Sequence, residues 1–270
     1  MELELRLTLP RACRAYAATL TILCLSAACV HSASAAGSSA FDISATFTSG
    51  GVTTVINPVN RLTSGSSSTY QKSANFGAYN KTLHITTGTA PVPTLTVSAT
   101  NLRSHIAGGF GVDTISAEGD ATVSGVDISL QLDPPPPGGP FPQPFLHITA
   151  ARLQETANYN LVVPTFTTVG SNADVKGLKV SGSLVGGKTL AFSGAPAANK
   201  VLFQSPTVTI TLNHKLVAAL ISCFPKCVVT PVSVSTSALE ITLTNANLDG
   251  HIVSGQIDIG VGDAGSEAPL

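Results

Sequence analysis

Val123-Ser124-Gly125-Val126-Asp127-Ile128-Ser129-Leu130-Gln131-Leu132 decides the fold. Apolar and polar residues take turns along this stretch, the period of a strand with one buried face rather than the 3.6-residue period of a helix. The same alternation runs through Phe41 to Phe47 (FDISATF), Thr94 to Ser98 (TLTVS), Val175 to Leu184 (VKGLKVSGSL), Val208 to Leu212 (VTITL) and Leu239 to Leu243 (LEITL). Valine and threonine suit a pleated, half-buried surface. The polar residues between them imply a wet outer face, hence antiparallel sheets, and no long amphipathic helix exists in the sequence to cover parallel ones. The expectation is an all-β protein, an antiparallel β-sandwich with little or no helix beyond the N-terminal signal. One short stretch, Lys215 to Ser222 (KLVAALIS), reads equally well as a helix or as a buried strand running into a cysteine loop.

The first 35 residues follow a different logic. Arg6, Arg11 and Arg14 form a basic end, Ala15 to Val30 (AYAATLTILCLSAACV) an apolar run, and Ala33-Ser34-Ala35 a small-x-small site. That order is an export signal, and the apolar run falls short of the roughly 20 residues that span a bilayer. Residues 1–35 are therefore expected to be a cleavable signal peptide, cut between Ala35 and Ala36, with the bond before Gly37 as second choice. Lipoprotein processing at Cys29 is the alternative, since small residues precede it, although Leu25 lies one place too far upstream for a good lipobox. Residues 36–270 are then a single exported domain, secreted, periplasmic or at the cell surface, with no transmembrane span.

Export accounts for the cysteines. Cys13, Cys24 and Cys29 leave with the signal, and the remaining Cys223 and Cys227 are expected to close as a disulfide in an oxidising compartment. A CxxxC pair without further ligands lacks the four that structural zinc takes. Charged residues make up 11% of the chain, against about 25% in an ordinary soluble domain. The 13 acids and 11 bases that follow the signal give no electrostatic footprint for nucleic acid. Two stretches must leave the sheets: the serine-rich loop 63–69 (TSGSSST) and the proline-rich loop 134–144 (PPPPGGPFPQP), whose prolines cannot donate to a ladder.

The body resembles the bacterial choice-of-anchor P family of exported β-rich domains. The likeness lies in Gly170 to Gly182 (GSNADVKGLKVSG), Gly194-Ala195-Pro196 with Asn199, Thr207 to Asn213 (TVTITLN), Ser237 to Leu243 (SALEITL) and Ile257 to Ala264 (IDIGVGDA), and it covers about 41 to 265. The resemblance implies an all-β fold and a surface or secreted location, and brings no catalytic residues. This chain departs from the anchoring that the family name suggests, having neither an LPxTG motif nor an apolar span after Gly265.

Chemistry-bearing motifs are sparse. Gly182-Ser183-Leu184-Val185-Gly186 only echoes the nucleophile elbow of hydrolases. Gly260-Val261-Gly262-Asp263-Ala264-Gly265 has the form GxGxxG, but five residues cannot supply the helix on which a pyrophosphate would sit. His84, His105, His147, His214 and His251 are scattered one per strand-like segment, without ligand spacing. Among Asp113, Glu118, Asp120 and Asp127, the pair Glu118 and Asp120 shares a strand face and is the candidate for a calcium site, although the EF-hand pattern is missing. No other cofactor is expected. Tyr70, Phe76 and Tyr79 form an aromatic group in what reads as a loop, and Asn80-Lys81-Thr82 has the form of an N-glycosylation acceptor. The expected role is a non-enzymatic structural or interaction protein of the cell surface or extracellular space. The alternatives are an adhesin-like module binding glycans or proteins, with or without calcium, and a hydrolase of unrecognised type. Expected partners are surface glycans, matrix or further copies of the chain.

Overall fold

The computed structural model describes residues 36–64, 69–86, 91–111, 114–134, 143–162, 166–223 and 227–266, with residues 166, 220–223, 227–232 and 266 described by backbone alone. The signal peptide, with Cys29 and Ala35, lies outside these residues, as do Asp113, the tips of both linker loops and the loop 224–226. Ser34–Leu270 is a compact unit by itself.

In chain order the strands are β1 (Ala36–Ser49), β2 (Val52–Val59), β3 (Leu62–Thr63), β4 (Thr69–Phe76), β5 (Tyr79–His84), β6 (Val92–Ala99), β7 (Asn101–Phe110) and β8 (Thr114–Asp133). There follow β9 (Leu146–Val162), β10 (Phe166–Ser181), β11 (Leu190–Gly194), β12 (Lys200–Gln204), β13 (Val208–Cys223), β14 (Cys227–Leu248) and β15 (His251–Ser266). They form two antiparallel sheets packed face to face, the sandwich expected from the alternation. The first sheet has the order β12-β13-β14-β15-β1-β2, with β3 also against β1. The second has the order β11-β10-β9-β8, after which β6 and β7 lie end to end along β8, with β5 and β4 outside them. Most neighbours in a sheet are neighbours in sequence, and the first and last described strands, β1 and β15, pair with each other. Two left-handed glycines, Gly50 and Gly51 (φ 56 and 79), make the turn from β1 to β2, the geometry that favours glycine in two-residue hairpins. Lys215 to Ser222, the helix alternative, is part of β13.

The alternation is less regular than it reads. In β8 the inward residues are Ile115, Ala117, Gly119, Ala121 and Val123, then Val126, Ile128, Leu130 and Leu132, so the buried face slips by one residue at Gly125 (φ 58). β10 slips likewise at Gly177 (φ 61), between Val175 and Leu178. In the first sheet the slip forms a row across four strands, Asn213, Ala238, Gly260 and Asp42, the positions skipped where Leu212 faces Leu239, Ile259 faces Leu239 and Ile43, and His214 faces Ser237. Because neighbouring strands kink in step, the register is kept across the first-sheet row while the side chains beyond it turn to the other face. FDISATF therefore does not alternate cleanly: Asp42, expected on the wet face, is fully buried beside Ile43.

The rows divide the interior into two unlike halves. One holds the main core of large side chains, among them Ile43, Phe47, Leu95, Ile128, Leu130, Ile148, Leu178, Ile241 and Ile257. The other is lined by Ala36, Ser38 and Ala40 of β1, Ala117, Gly119 and Ala121 of β8, Ala157 of β9, and Gly262 and Ala264 of β15. There the backbones touch. A β-carbon on Gly119 would lie 2.3 Å from the Ser39 carbonyl oxygen and 2.7 Å from that of Asp263, and one on Gly262 would lie 2.3 Å from the Gly119 carbonyl oxygen. Sheets in sandwiches ordinarily stand about 10 Å apart. The terminal GxGxxG is thus a strand whose Gly262 lets a second sheet approach.

Candidate functional site

Polar side chains gather at four places, and the inside ones come first. At the kink in β1, Asp42 accepts hydrogen bonds from the Asn60 amide (Oδ2, 2.7 Å), from the Ser104 hydroxyl (3.3 Å) and from the Arg103 backbone N–H (Oδ1, 3.3 Å). Asn60 follows β2 in a left-handed conformation (φ 55), which asparagine tolerates, and its amide also donates to the Ala74 carbonyl (3.3 Å). The cluster ties the first sheet to β4 and β7 of the second. Burial outweighs these bonds and raises the Asp42 carboxyl to about 6. Asn60→Ala leaves that carboxyl short of its best donor and is expected to cost about 1–3 kcal/mol, read from urea unfolding near neutral pH; an unchanged midpoint contradicts the role assigned to Asn60.

The second inside group is Glu155 of β9, fully buried between Leu153 and Ala157 in the small-residue half. Neither carboxyl oxygen has a hydrogen-bond partner of good geometry. The Thr236 hydroxyl and the Thr156 and Asn172 amides lie close enough to favour the anion, but loss of hydration dominates and raises the carboxyl to about 8. The Thr236 hydroxyl is already directed at the Gly262 carbonyl (3.1 Å).

The third group covers the outer face of the second sheet, where strand register lines up polar residues from β4, β7, β8, β9 and β10. His105 faces Asp120, which faces Thr156; Arg103 faces Thr122, which faces Gln154, which faces Asp174. Asp120 accepts from the Thr156 hydroxyl (2.8 Å) and the Gln154 amide (3.2 Å), His105 Nδ1 lies 3.8 Å from Glu118, and Arg152 pairs with Asp174. Ser73, Arg103, His105, Asp120, Arg152 and Gln154 surround a hollow of about 340 Å³. Glu118 and Asp120 do share this face, as their spacing requires, but each is engaged separately. Among the described residues, no group of three or more histidine, cysteine, aspartate and glutamate side chains is arranged to hold a metal ion.

The fourth group is on the outer face of the first sheet. Glu240 and Asp258 are cross-strand partners. The Gln256 amide donates to both (3.1 and 2.8 Å), and His214 Nδ1 lies 2.5 Å from Glu240. Burial, with repulsion from Glu240, raises Asp258 to about 6 against the opposing effects of Gln256 and His214.

The remaining candidates fall into ordinary structure. Gly182 to Gly186 is a single 3₁₀ turn over Ser183–Val185. His147 pairs with Asp127 (3.1 Å), and His84 bonds the Thr94 hydroxyl (2.9 Å). The aromatic group divides. Tyr70 lies buried in β4, its hydroxyl accepting from Ser38 (2.8 Å) and its ring occupying the space above Gly108, while Phe76 and Tyr79 meet edge to face at 6.4 Å. Cys223 and Cys227, the pair expected to close as a disulfide, are cross-strand backbone partners at the end of the β13–β14 hairpin. No helix among the described residues is long and apolar enough to cross a membrane.

The reading missed Asp42, Glu155 and the His214, Glu240 and Asp258 group. Glu155 had a signal: in Leu153-Gln154-Glu155-Thr156-Ala157-Asn158-Tyr159 it occupies the apolar phase of the alternation. The others depend on a kink shared between strands and on cross-strand register.

Fold and site together define a two-sheet antiparallel β-sandwich with a polar outer face on its second sheet. Compared with protein-family models, with curated proteins and with solved structures, the chain matches none.

Proposed function

We propose that the protein is an exported, non-enzymatic interaction module that holds a hydroxyl- and carboxylate-rich ligand, such as a surface polysaccharide, against the outer face of its second sheet. The observation that carries this is the hollow framed by Arg103, His105, Asp120 and Gln154, in which donors and acceptors project from paired strands rather than from loops. Side chains fixed on a sheet lose little freedom on binding, which favours affinity without a deep pocket. Arginine supplies planar paired donors for carboxylates, while Gln154 and Asp120 match hydroxyls. Without tryptophan in the chain, recognition relies on hydrogen bonds and charge rather than on stacking against indole. Export is supported by the order of basic, apolar and small residues in 1–35. The resemblance to the choice-of-anchor P family points the same way.

The test is a glycan array probed with the purified wild type and with Arg103→Ala/Gln154→Ala. Binding to acidic polysaccharides, weakened in the double variant by about tenfold or more for two lost polar contacts, is expected. A silent array, or binding that the variant retains, overturns the assignment.

A further inference from the structure

The hairpin of β13 and β14 outruns the sheet that carries it. β12 covers the outer edge of β13 only from Thr209 to Leu212. The Asn199 side chain then imitates one more strand residue, its Oδ1 accepting from the Lys215 N–H (2.7 Å) and its Nδ2 donating to the Lys215 carbonyl (3.3 Å). Among the described residues, nothing pairs with that edge from Leu216 to Cys223. On the other side, β15 pairs with β14 only from Ser233 onward, so among the described residues 227–232 has no strand beyond it either. The hairpin there is a two-stranded ribbon, and a lone ribbon is marginally stable in water.

Its sequence does not suit exposure. Leu216, Val217, Ala218 and Ala219 are four consecutive exposed residues, with Leu216 at 59% and Val217 at 44%, so both faces of the ribbon carry apolar surface. The segment 216–223 (LVAALISC) contains no charge. The two edges differ: β14 contains Pro231, which has no N–H to donate and is tolerated where the amide would face outward, whereas β13 keeps every amide.

We infer that the free edge of β13 from Leu216 to Cys223 is a homodimer interface, at which two copies pair antiparallel to make a four-stranded ribbon. A two-fold axis through this segment sets it against itself, the self-complementary arrangement of most dimers. With no charge inside the segment, self-pairing opposes no like charges, and a charged partner would find nothing to complement. Hydrocarbon is the poorer occupant, because a single ribbon in lipid would leave both edges unpaired. The interface is separate from the outer face of the second sheet, so it stands or fails independently of polysaccharide binding.

The experiment is light-scattering mass measurement on the full chain, exported with its own N-terminal segment, over a series of concentrations. The wild type is expected at twice the mass of one chain. Val217→Lys/Ala219→Lys, at two exposed positions, is expected to weaken dimerisation by about tenfold or more through like-charge repulsion, with the circular dichroism of a folded β protein retained. Mixing it with Val217→Glu/Ala219→Glu should restore a dimer containing one of each. A monomeric wild type, a lysine variant that stays dimeric, or a monomer that instead co-sediments with phosphatidylcholine vesicles each overturns the inference.

Discussion

Gly119→Ala is expected to destabilise the protein by about 3 kcal/mol or more, at the upper end of what overpacking costs. The added methyl would meet the Ser39 carbonyl oxygen at 2.3 Å, the Asp263 carbonyl oxygen at 2.7 Å and the Asp263 nitrogen at 2.9 Å. All three are backbone atoms of strands held by their own ladders, β1 and β15. No rotamer relieves such contacts, so the sheets must separate locally or β8 must bend. Gly262→Ala opposes it from the other sheet, with the Gly119 carbonyl at 2.3 Å, and the same loss is expected. Gly170→Ala is the control, since its methyl would meet only the Asn158 β-carbon, at 3.9 Å; it should stay within about 1 kcal/mol of wild type, the strand-interior effect of Gly against Ala. Urea midpoints decide the matter. If Gly119→Ala unfolds where Gly170→Ala does, the close approach of the sheets is wrong.

The second large effect is on pH dependence. Glu155 is raised by burial from 4.5 to about 8. Below the unfolded value both states hold the proton and the carboxyl adds no pH dependence. Between 4.5 and about 8 the unfolded chain releases the proton that the folded chain keeps, so stability falls as pH rises, by up to about 1.4 kcal/mol per unit, and levels off above about 8. Asp42 and Asp258, raised from 3.8 to about 6, act in the same direction over the lower part of this range. From pH 6 to 8 Glu155 alone of the three continues, and it is expected to remove about 2–3 kcal/mol. Glu155→Gln keeps the shape without the titration. Its urea stability should lack that fall, and at pH 8 it should exceed the wild type. Parallel pH profiles for the two proteins would show that Glu155 is not the buried acid described.

Legibility in the sequence followed the range of the interaction. Alternation in Val208 to Leu212 and Leu239 to Leu243 marks strands because it reflects one chain segment lying across a water boundary, a local property. Glu155 was legible on the same ground, although it was not singled out from the sequence. Asp42 was not, because its burial depends on a kink shared with Asn213, Ala238 and Gly260 on three other strands. The aromatic trio was misplaced for a similar reason: loop-like composition around Tyr70 concealed a strand whose ring packs onto Gly108 and whose hydroxyl meets Ser38 of the opposite sheet. Glu118 and Asp120 were rightly put on one face, but their neighbours across the strands, His105, Gln154 and Thr156, determine how each is used.

By itself, then, the sequence determined that the chain is built from antiparallel strands with one apolar face, and that Cys223 and Cys227 lie near one another. These follow from period, propensity and short-range chain geometry. Only the tertiary structure decided which strands are neighbours, where the face slips by a residue, that glycines in β8 and β15 bring two backbones into contact, and that β13 outruns β12. Register and sheet packing decide those features, because they set residues from distant segments against each other, a relation that no single segment encodes.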